Sequence, residues 1–388
     1  MAPADLLAAL PWAVPYLAFL RLASKRPAIA AIPPADPDAT RVSVIVPARN
    51  EAETIETVVR SVLASRHRNF EVIVVDDRST DDTAAIVKRL MPGDSRLRLL
   101  DGAELPPGWY GKPWACVQGW RAATGDVLLF TDADTRHGPM LLSHALGALE
   151  AGRGNLVTVA PRQLCVTFWE RVVMPQVWLL LGVRFHPAAV NRARQTRDVI
   201  ANGQYIMMRR SDYEAIGTHE SVRHEVAEDL ALAHRAHESG HRVFFAFADE
   251  EMETRMYRDL GHIVEGWSKN LYLGGRRSFP GNPLLSALVP VALSGAMIFW
   301  LVPVVALMLV IAGVAGAEWL PATSAAVVIS AGFWMAVCAG MKIPVRYGLA
   351  YPIGSATALY IVARSTSRGG GRVEWKGRTY GGPAGPGG

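Results

Sequence analysis

The sequence predicts an α/β protein: a mostly parallel, Rossmann-like sheet covered by helices, joined to helices apolar and long enough to cross a membrane. Three observations predict it. Between residues 42 and 130, short β-branched apolar runs alternate with segments whose apolar residues recur at helical spacing. Acidic residues stand directly after three of those runs. The chain between Arg277 and Glu318 holds no charged residue at all.

Taken in order, the chain opens on an apolar run, Leu6 to Leu20, broken by Pro11 and Pro15. Asp5 precedes it and Arg21, Lys25 and Arg26 follow, the reverse of a secretory leader, so the positive-inside bias turns the following chain to the cytoplasm. Pro27, Pro33, Pro34 and Pro37 make a stiff linker. Val42 to Val46 reads as a strand buried on both faces. Ile55, Val58, Val59, Val62 and Leu63 then fall at i, i+3, i+4, i+7 and i+8, one face of a helix. Val72 to Val75 is a second strand, and Ser79 with Asp82 reads as a capping box opening a helix through Leu90. A strand at Leu97–Leu100, a helix at Trp114–Ala123 and a strand at Val127–Phe130 complete the alternation. The uncharged stretches from Arg277 to Glu318 and from Glu318 to Lys342 are transmembrane candidates, and Tyr347 to Ala363, with Pro352 and Gly354, is a shorter third. The expected organisation is an anchor and linker (1–40), an α/β domain (41–276), a transmembrane region of two to three segments (277–364) and a basic, Gly-rich tail (365–388). That places the protein in the cell (cytoplasmic) membrane as a multi-pass chain with its α/β domain in the cytoplasm.

Composition agrees with a membrane protein. Half of the 388 residues are apolar and 19% are charged. The net charge of +5 gathers at membrane-flanking positions and in the tail, which points to anionic headgroups. No aromatic-interleaved basic patch or zinc-finger spacing points to nucleic acid. Three cysteines give no disulfide framework.

Ligands bind beyond the carboxyl ends of strands in open parallel sheets. Here Pro47, Asn50 and Glu51 follow the first strand, Asp76 and Asp77 the second, and Asp132 and Asp134 the fourth. Converging carboxylates repel one another unless a cation or donors compensate, and a divalent metal with nucleotide hydroxyls and amides does so economically. Asp132-Ala133-Asp134 has the spacing of a diphosphate-bridging site for Mg2+ or Mn2+. A solvated turn at Asp132–Asp134, and a helix start at Asp76–Asp77, are the plainer readings.

The set Val-Ser-Val-Ile-Val-Pro-Ala-Arg-Asn-Glu (42–51), Val-Val-Asp-Asp-Arg-Ser-Thr-Asp (74–81), Gly111-Lys112 and Asp132-Ala133-Asp134 resembles family 2 glycosyltransferases over roughly residues 41–276. The resemblance implies a GT-A fold, a nucleotide-diphosphate sugar donor and inversion at the anomeric carbon. It implies that Pro47, Asn50 and Glu51 line the nucleotide pocket, that Asp77 binds the base and that Lys112 lies against base or diphosphate. Asp134 is then the main metal ligand, with Asp132 supporting it. Inverting transfer also needs a general base. Asp229, beside Glu228, resembles the family's Glu-Asp motif; the two acids also suit a helix start.

His219 and His224 imitate a zinc-protease pair but fall at i+5, off a shared helix face. His234, His237 and His241 read as a solvated stripe. His262, near Trp267, is a candidate contact for diphosphate or metal. Processive members carry Gln-x-x-Arg-Trp where this chain reads Gly266-Trp267-Ser268, so Trp267 remains without its Gln and Arg. The segment Gly108–Ala115, the C-terminal spans and Val373–Tyr380 look like a narrower group of membrane transferases associated with hopanoid, carotenoid and related lipids. That implies a lipid or membrane-embedded acceptor, with Asn202, Gly203, Tyr205, Arg209 and Arg210 on its side. The other readings are a non-catalytic membrane scaffold with a degenerate nucleotide domain, a nucleotidyltransferase and a polysaccharide synthase. The intact set Asp77, Asp134 and Asp229 speaks against the scaffold.

Overall fold

A computed structural model describes residues 3–23, 26–225, 227–277, 282–368, 373–375 and 378–380. Lys25, residues 376–377 within Val373–Tyr380 and the Gly-rich end lie outside the described residues. The chain forms two compact units that interleave along the sequence: residues 1–25, 165–186 and 257–371 make a helical unit, and 26–164, 187–256 and 372–388 a sheet unit.

Helix α1 (Pro3–Ala23), with Pro11 and Pro15 inside it, belongs to the helical unit. The sheet unit then runs β1 (Val42–Ala48), α2 (Ile55–Leu63), β2 (Phe70–Asp76), α3 (Thr83–Leu90), β3 (Leu97–Asp101), α4 (Gly111–Ala122), β4 (Val127–Thr131), β5 (Thr135–His137), α5 (Leu141–Glu150) and β6 (Leu156–Gln163). After α6 (Phe168–Arg184), which joins the helical unit, come α7 (Pro187–Val190), β7 (Tyr205–Arg209), α8 (Arg210–Ala215), α9 (Glu228–Glu238) and β8 (Val243–Thr254). The helical unit closes with α10 (Leu260–Arg277), α11 (Pro283–Ile311), α12 (Leu320–Gly340) and α13 (Tyr351–Arg368), and a short antiparallel pair, β9 (Val373–Trp375) and β10 (Arg378–Tyr380), follows.

Eight strands make one sheet in the order β3-β2-β1-β4-β7-β6-β8-β5. The first four are mutually parallel, β7 runs antiparallel between β4 and β6, β8 is parallel to β6, and β5 closes antiparallel on β8. β1 and β2 are buried along nearly their whole length because Val and Ile fill both faces. Ile45, Ile55, Ile73, Leu128 and Leu129 are fully buried, each worth about 1.5–3 kcal/mol of burial. Register does the positioning. Ala48 pairs with Asp76, and Thr131 pairs with Tyr205, which sets the ends of β1 and β2 level and brings Asp132 to the turn before β7.

In the helical unit, Trp12, Tyr16 and Phe19 of α1 pack on a core of Trp300, Phe333, Trp334, Val337 and Tyr351. A second core joins Val173, Met174 and Val177 of α6 to Ile263, Val264 and Trp267 of α10 and Ile361 of α13. Among the described residues two helices are long and apolar enough to cross a membrane, α11 and the stretch Ala317–Gly340 containing α12. α11 leaves Leu284, Leu288, Val291, Ile298, Val302, Val305 and Leu309 exposed, at the i, i+4, i+7 spacing of a helix face, and Met308 and Ile311 exposed at its end. α13, in the place of the shorter third stretch, pairs Arg364 and Arg368 with Glu265 of α10 at 3.0 and 2.7 Å.

Candidate functional site

The site assembles at the carboxyl ends of β1, β2 and β4. Two loops there, 49–52 and 77–83, are braced against each other. The Arg49 guanidinium donates to the carbonyls of Asp77 and Arg78 at 2.6 and 2.8 Å. Asn50 takes a positive φ of 54°, which Asn tolerates better than most residues, and its Oδ1 accepts the Thr80 amide at 2.8 Å. Its own amide donates to Ser79 Oγ at 3.0 Å. Ser79 therefore serves this loop, and α3 opens on Asp82 without a side-chain cap, so the expected capping box does not form. The Glu51 amide donates to Thr83 Oγ1 and the Ala52 amide to Asp81 Oδ2, at 2.8 and 3.0 Å. Burial alone would raise the Asp81 carboxyl, but the Thr83 hydroxyl and the Ala52 and Thr83 amides donate to it and hold it below its ordinary range. Asp77 is 2% exposed, its amide fixed to the Ala48 carbonyl at 2.8 Å, beside Pro47.

The centre of the site is a lysine among carboxylates. Lys112, in the first turn of α4, places its ammonium 2.7 Å from Asp132 Oδ1 and 2.7 Å from Glu228 Oε1, with the Gly203 carbonyl at 3.4 Å. Asp229 Oδ2 accepts the Gly203 amide at 2.9 Å, and its Oδ1 accepts the Leu230 amide at the start of α9, at 2.8 Å. Burial works against the Lys112 charge, yet Asp132, Glu228 and Asp229 together hold its pKa well above the ordinary value. Glu228 is also buried, and Lys112 keeps it below the carboxylate range despite that. Asp229 goes the other way: burial and the neighbouring Glu228 charge push it up to about 6. Two adjacent acids thus divide into a fixed counter-ion and a carboxylate poised near neutral pH. Gly203 permits the contact, since a Cβ there would lie 2.9 Å from Lys112 Nζ and 3.0 Å from Asp229 Oδ2.

Beneath the acids lies a polar floor that sequence reading did not single out. Thr131 Oγ1 donates to the Gln204 carbonyl at 2.8 Å and lies 3.0 Å from His137 Nε2. Gln204 Nε2 donates to Thr254 Oγ1 at 3.2 Å, and Thr254 Oγ1 donates to the Asp134 carbonyl at 3.3 Å. Burial pushes His137 down to about 3, so it is neutral. The available signal was the continued alternation Asp132-x-Asp134-Thr135-x-His137, a short strand leaving the acidic turn.

The structure thus brings Lys112, Asp132, Glu228 and Asp229 into one cluster, with Asp134 and the braced Pro47–Glu51 and Asp77 loops at neighbouring strand ends. Asn202 is a brace, its amide donating to Thr158 Oγ1 and its Nδ2 to the Val159 carbonyl. Tyr205 is fully buried in the core. Arg209 pairs with Val127, and Arg210 bonds the Ala123 and Gly125 carbonyls, at the amino end of β4 away from Asp132. The antiparallel course of β7 explains that placement. Trp267 and His262 belong to the helical unit. Trp267 is buried against Trp178 and Tyr257, with its indole N–H 3.4 Å from Met174 Sδ, and His262 is exposed beside Asp259 at 3.2 Å. Nor do the three other histidines form a solvated stripe: His237 Nδ1 meets Thr196 Oγ1 at 3.1 Å, and His241, past the end of α9, meets Asp212 at 3.4 Å.

Among the described residues no three His, Cys, Asp or Glu side chains gather as a metal-holding group. Asp132 and Asp134 nevertheless offer hard oxygen donors at the end of a buried strand. That donor set fits Mg2+ or Mn2+, which one or two carboxylates hold when phosphate oxygens supply the rest.

Residues 43–217 match the family model described as glycosyl transferase family 2. The 4,4'-diaponeurosporenoate glycosyltransferase of Staphylococcus aureus (strain MRSA252) is 28% identical over 249 residues, which cover 62% of this chain and 63% of that protein. The match thus spans less than two thirds of the length of the curated relatives. The fold is similar to that of a mannosyltransferase from Pyrobaculum calidifontis solved with GDP-Man and Mn2+, with a TM-score of 0.57 at 21% identity over 94% of this chain and 96% of that one.

Proposed function

We propose, from the glycosyl transferase family 2 domain that residues 43–217 carry, that this protein moves a sugar from a nucleotide-diphosphate sugar to a lipid-like acceptor at a membrane, with inversion and one sugar per encounter. The observation that carries the reading is Asp229. It is held by two backbone amides, pushed up to about 6 by burial and Glu228, and set beside the Lys112–Asp132 pair. A base of that pKa is largely ionised at pH 7 and far stronger than an ordinary aspartate.

The residues divide the work. The loops at 47–51 and 77–83 hold the nucleotide, with Asp77 toward the base. Lys112 lies against the diphosphate, its ammonium kept charged by the acids around it. Asp134 and Asp132 would hold Mg2+ or Mn2+, which when bound neutralises charge on the leaving diphosphate. Asp229 accepts the proton of the acceptor hydroxyl as that oxygen bonds to the anomeric carbon. The bond from that carbon to the diphosphate breaks and the diphosphate leaves with the electron pair.

The acceptor class rests on two features. α11 and α12 are long and apolar enough to cross a bilayer, and the relative from Staphylococcus aureus is named for a carotenoid acid. Arg21, Lys25 and Arg26 favour a cytoplasmic site by the positive-inside bias. Gly266-Trp267-Ser268, lacking the processive signature, favours single transfer. Membranes holding the chain are incubated with a panel of labelled nucleotide sugars and extracted with organic solvent. Label in the lipid fraction from one donor, absent with Asp229→Asn, is expected. Label only in water-soluble polymer, or none from any donor, overturns the reading.

A further inference from the structure

Where α12 ends, the chain makes a short turn, Val345–Ala350, whose side chains do not follow the usual logic of a soluble surface. Val345 and Leu349 are exposed, at 47% and 60%, and Phe168 at the start of α6 is exposed beside them. Phe168 and Tyr347 lie with ring centroids 6.2 Å apart and planes inclined at 58°. Two arginines converge on that tyrosine. Arg171 donates to its hydroxyl at 2.8 Å and lies 5.0 Å from the ring centre, and Arg346 lies 5.5 Å from the same ring. The Arg171 Nε also donates to the Cys165 carbonyl at 3.1 Å, so its guanidinium is held in place. Among the described residues, the partners of the two arginines are Tyr347 and, for Arg171, the Cys165 carbonyl, and no carboxylate pairs with either.

We propose that Arg171 and Arg346, gathered around Tyr347 and rimmed by exposed Phe168, Val345 and Leu349, form a docking surface for the phosphate of an anionic phospholipid in the bilayer. The inference rests on the reading that α11 and α12 cross the membrane. Helix α12 has 21 residues and is about 31 Å long, the thickness of a hydrocarbon core, so a turn leaving its end falls at headgroup depth. An apolar rim that is costly in water is at home there, and a tyrosine with flanking arginines is what that layer favours. Two unneutralised guanidiniums, one of them preorganised by two hydrogen bonds, complement a phosphate diester. The charge, the depth and the apolar rim name the same occupant.

The full chain is purified in neutral detergent and equilibrated in mixed micelles of equal phosphatidylglycerol and phosphatidylcholine, and the lipid retained after removing the micelles is quantified. Wild type is expected to retain phosphatidylglycerol in clear excess, with the excess lost in high salt. The double variant Arg171→Gln, Arg346→Gln is expected to lower that excess by about tenfold, on the scale of two surface cations, and the double Lys variant to keep most of it. If the Gln pair does not fold, Arg346→Gln alone, at an exposed position, is expected to lose a large part of it. Equal retention of both lipids by wild type, or an excess unchanged by these Gln variants, overturns the proposal. Alkaline carbonate extraction of cell membranes separates this from the reading beneath it: release of the chain overturns the spanning helices and this surface with them, whereas retention without lipid preference overturns the surface alone.

Discussion

Replacing Lys112 with Met tests the electrostatics of the site most directly. A Cβ placed on Gly203 would lie 2.9 Å from Lys112 Nζ and 3.0 Å from Asp229 Oδ2, so the two charges are within about 6 Å of each other. At that separation and an effective dielectric of about 20, the attraction is about 2.8 kcal/mol, or about two pKa units. Lys112→Met removes a cation that lowers the Asp229 pKa, which already stands at about 6, so the carboxyl should move up to about 8. The acid limb of the kcat/KM profile should follow it, leaving little activity at pH 7 and partial recovery at pH 9. Folding should suffer as well. Asp132 and Glu228 each lose a partner at 2.7 Å, and breaking a buried pair typically costs about 3–5 kcal/mol, here toward the low end because the Lys112 side chain keeps 22% exposure. The assay is kcat/KM for the donor from pH 5 to pH 9, which reports the donor-free enzyme, with a denaturation midpoint on the same preparation. A profile whose limb stays near pH 6 while the rate falls equally at every pH refutes the coupling and leaves Lys112 a donor contact only.

Asp229→Asn should lower turnover by about 10² to 10⁴ while donor affinity, read by titration calorimetry, stays nearly unchanged. Its effect on stability has a definite sign. A carboxyl raised in the folded state contributes stability that is complete below its unfolded pKa and lost as pH climbs through about 6, so wild type should weaken between pH 4 and pH 6 and the Asn variant should lack that decline. Parallel curves for the two proteins would remove the raised carboxyl from the account. Asp134→Asn and treatment with chelator should each abolish transfer without shifting the denaturation midpoint, and wild-type rates after both would misplace the metal. Gly203→Ala should cut turnover sharply and lower stability as well, because the added carbon meets Lys112 Nζ and both Oδ2 and Cβ of Asp229 and so pushes the buried pair apart. Unchanged turnover would mean that Lys112 and Asp229 need not meet.

Much of the site was legible because it is local. Asp132-Ala133-Asp134 directly after a buried apolar run marks a strand end whatever the rest of the chain does, and the Val/Ile runs of β1, β2 and β4 carry their burial in their composition. The role of Ser79 was misread for a matching reason. Its spacing to Asp82 satisfies a local pattern, but Asn50, 29 residues away, competes for the hydroxyl and wins. The polar floor of Thr131, His137, Gln204 and Thr254 was hard to read because its members come from β4, β5, the turn before β7 and β8, and only the short alternation after Asp132 pointed to it.

The sequence by itself determined the alternation of strands and helices, the acids at the strand ends and the apolar length of α11 and α12. Each depends on side-chain period or composition within a short window, and a period of two or of 3.6 is written into consecutive residues. Only the tertiary structure decided that β7 runs antiparallel between β4 and β6, a reversal that carries Arg209 and Arg210 away from the site and brings Gly203 to it. Only it decided that Lys112 meets Gly203, 91 residues away, and stands between Asp132 and Glu228. The distinct charges of Glu228 and Asp229 follow from that meeting, because a pKa is set by burial and by the charges within a few ångströms, and neither quantity exists until the sheet has closed.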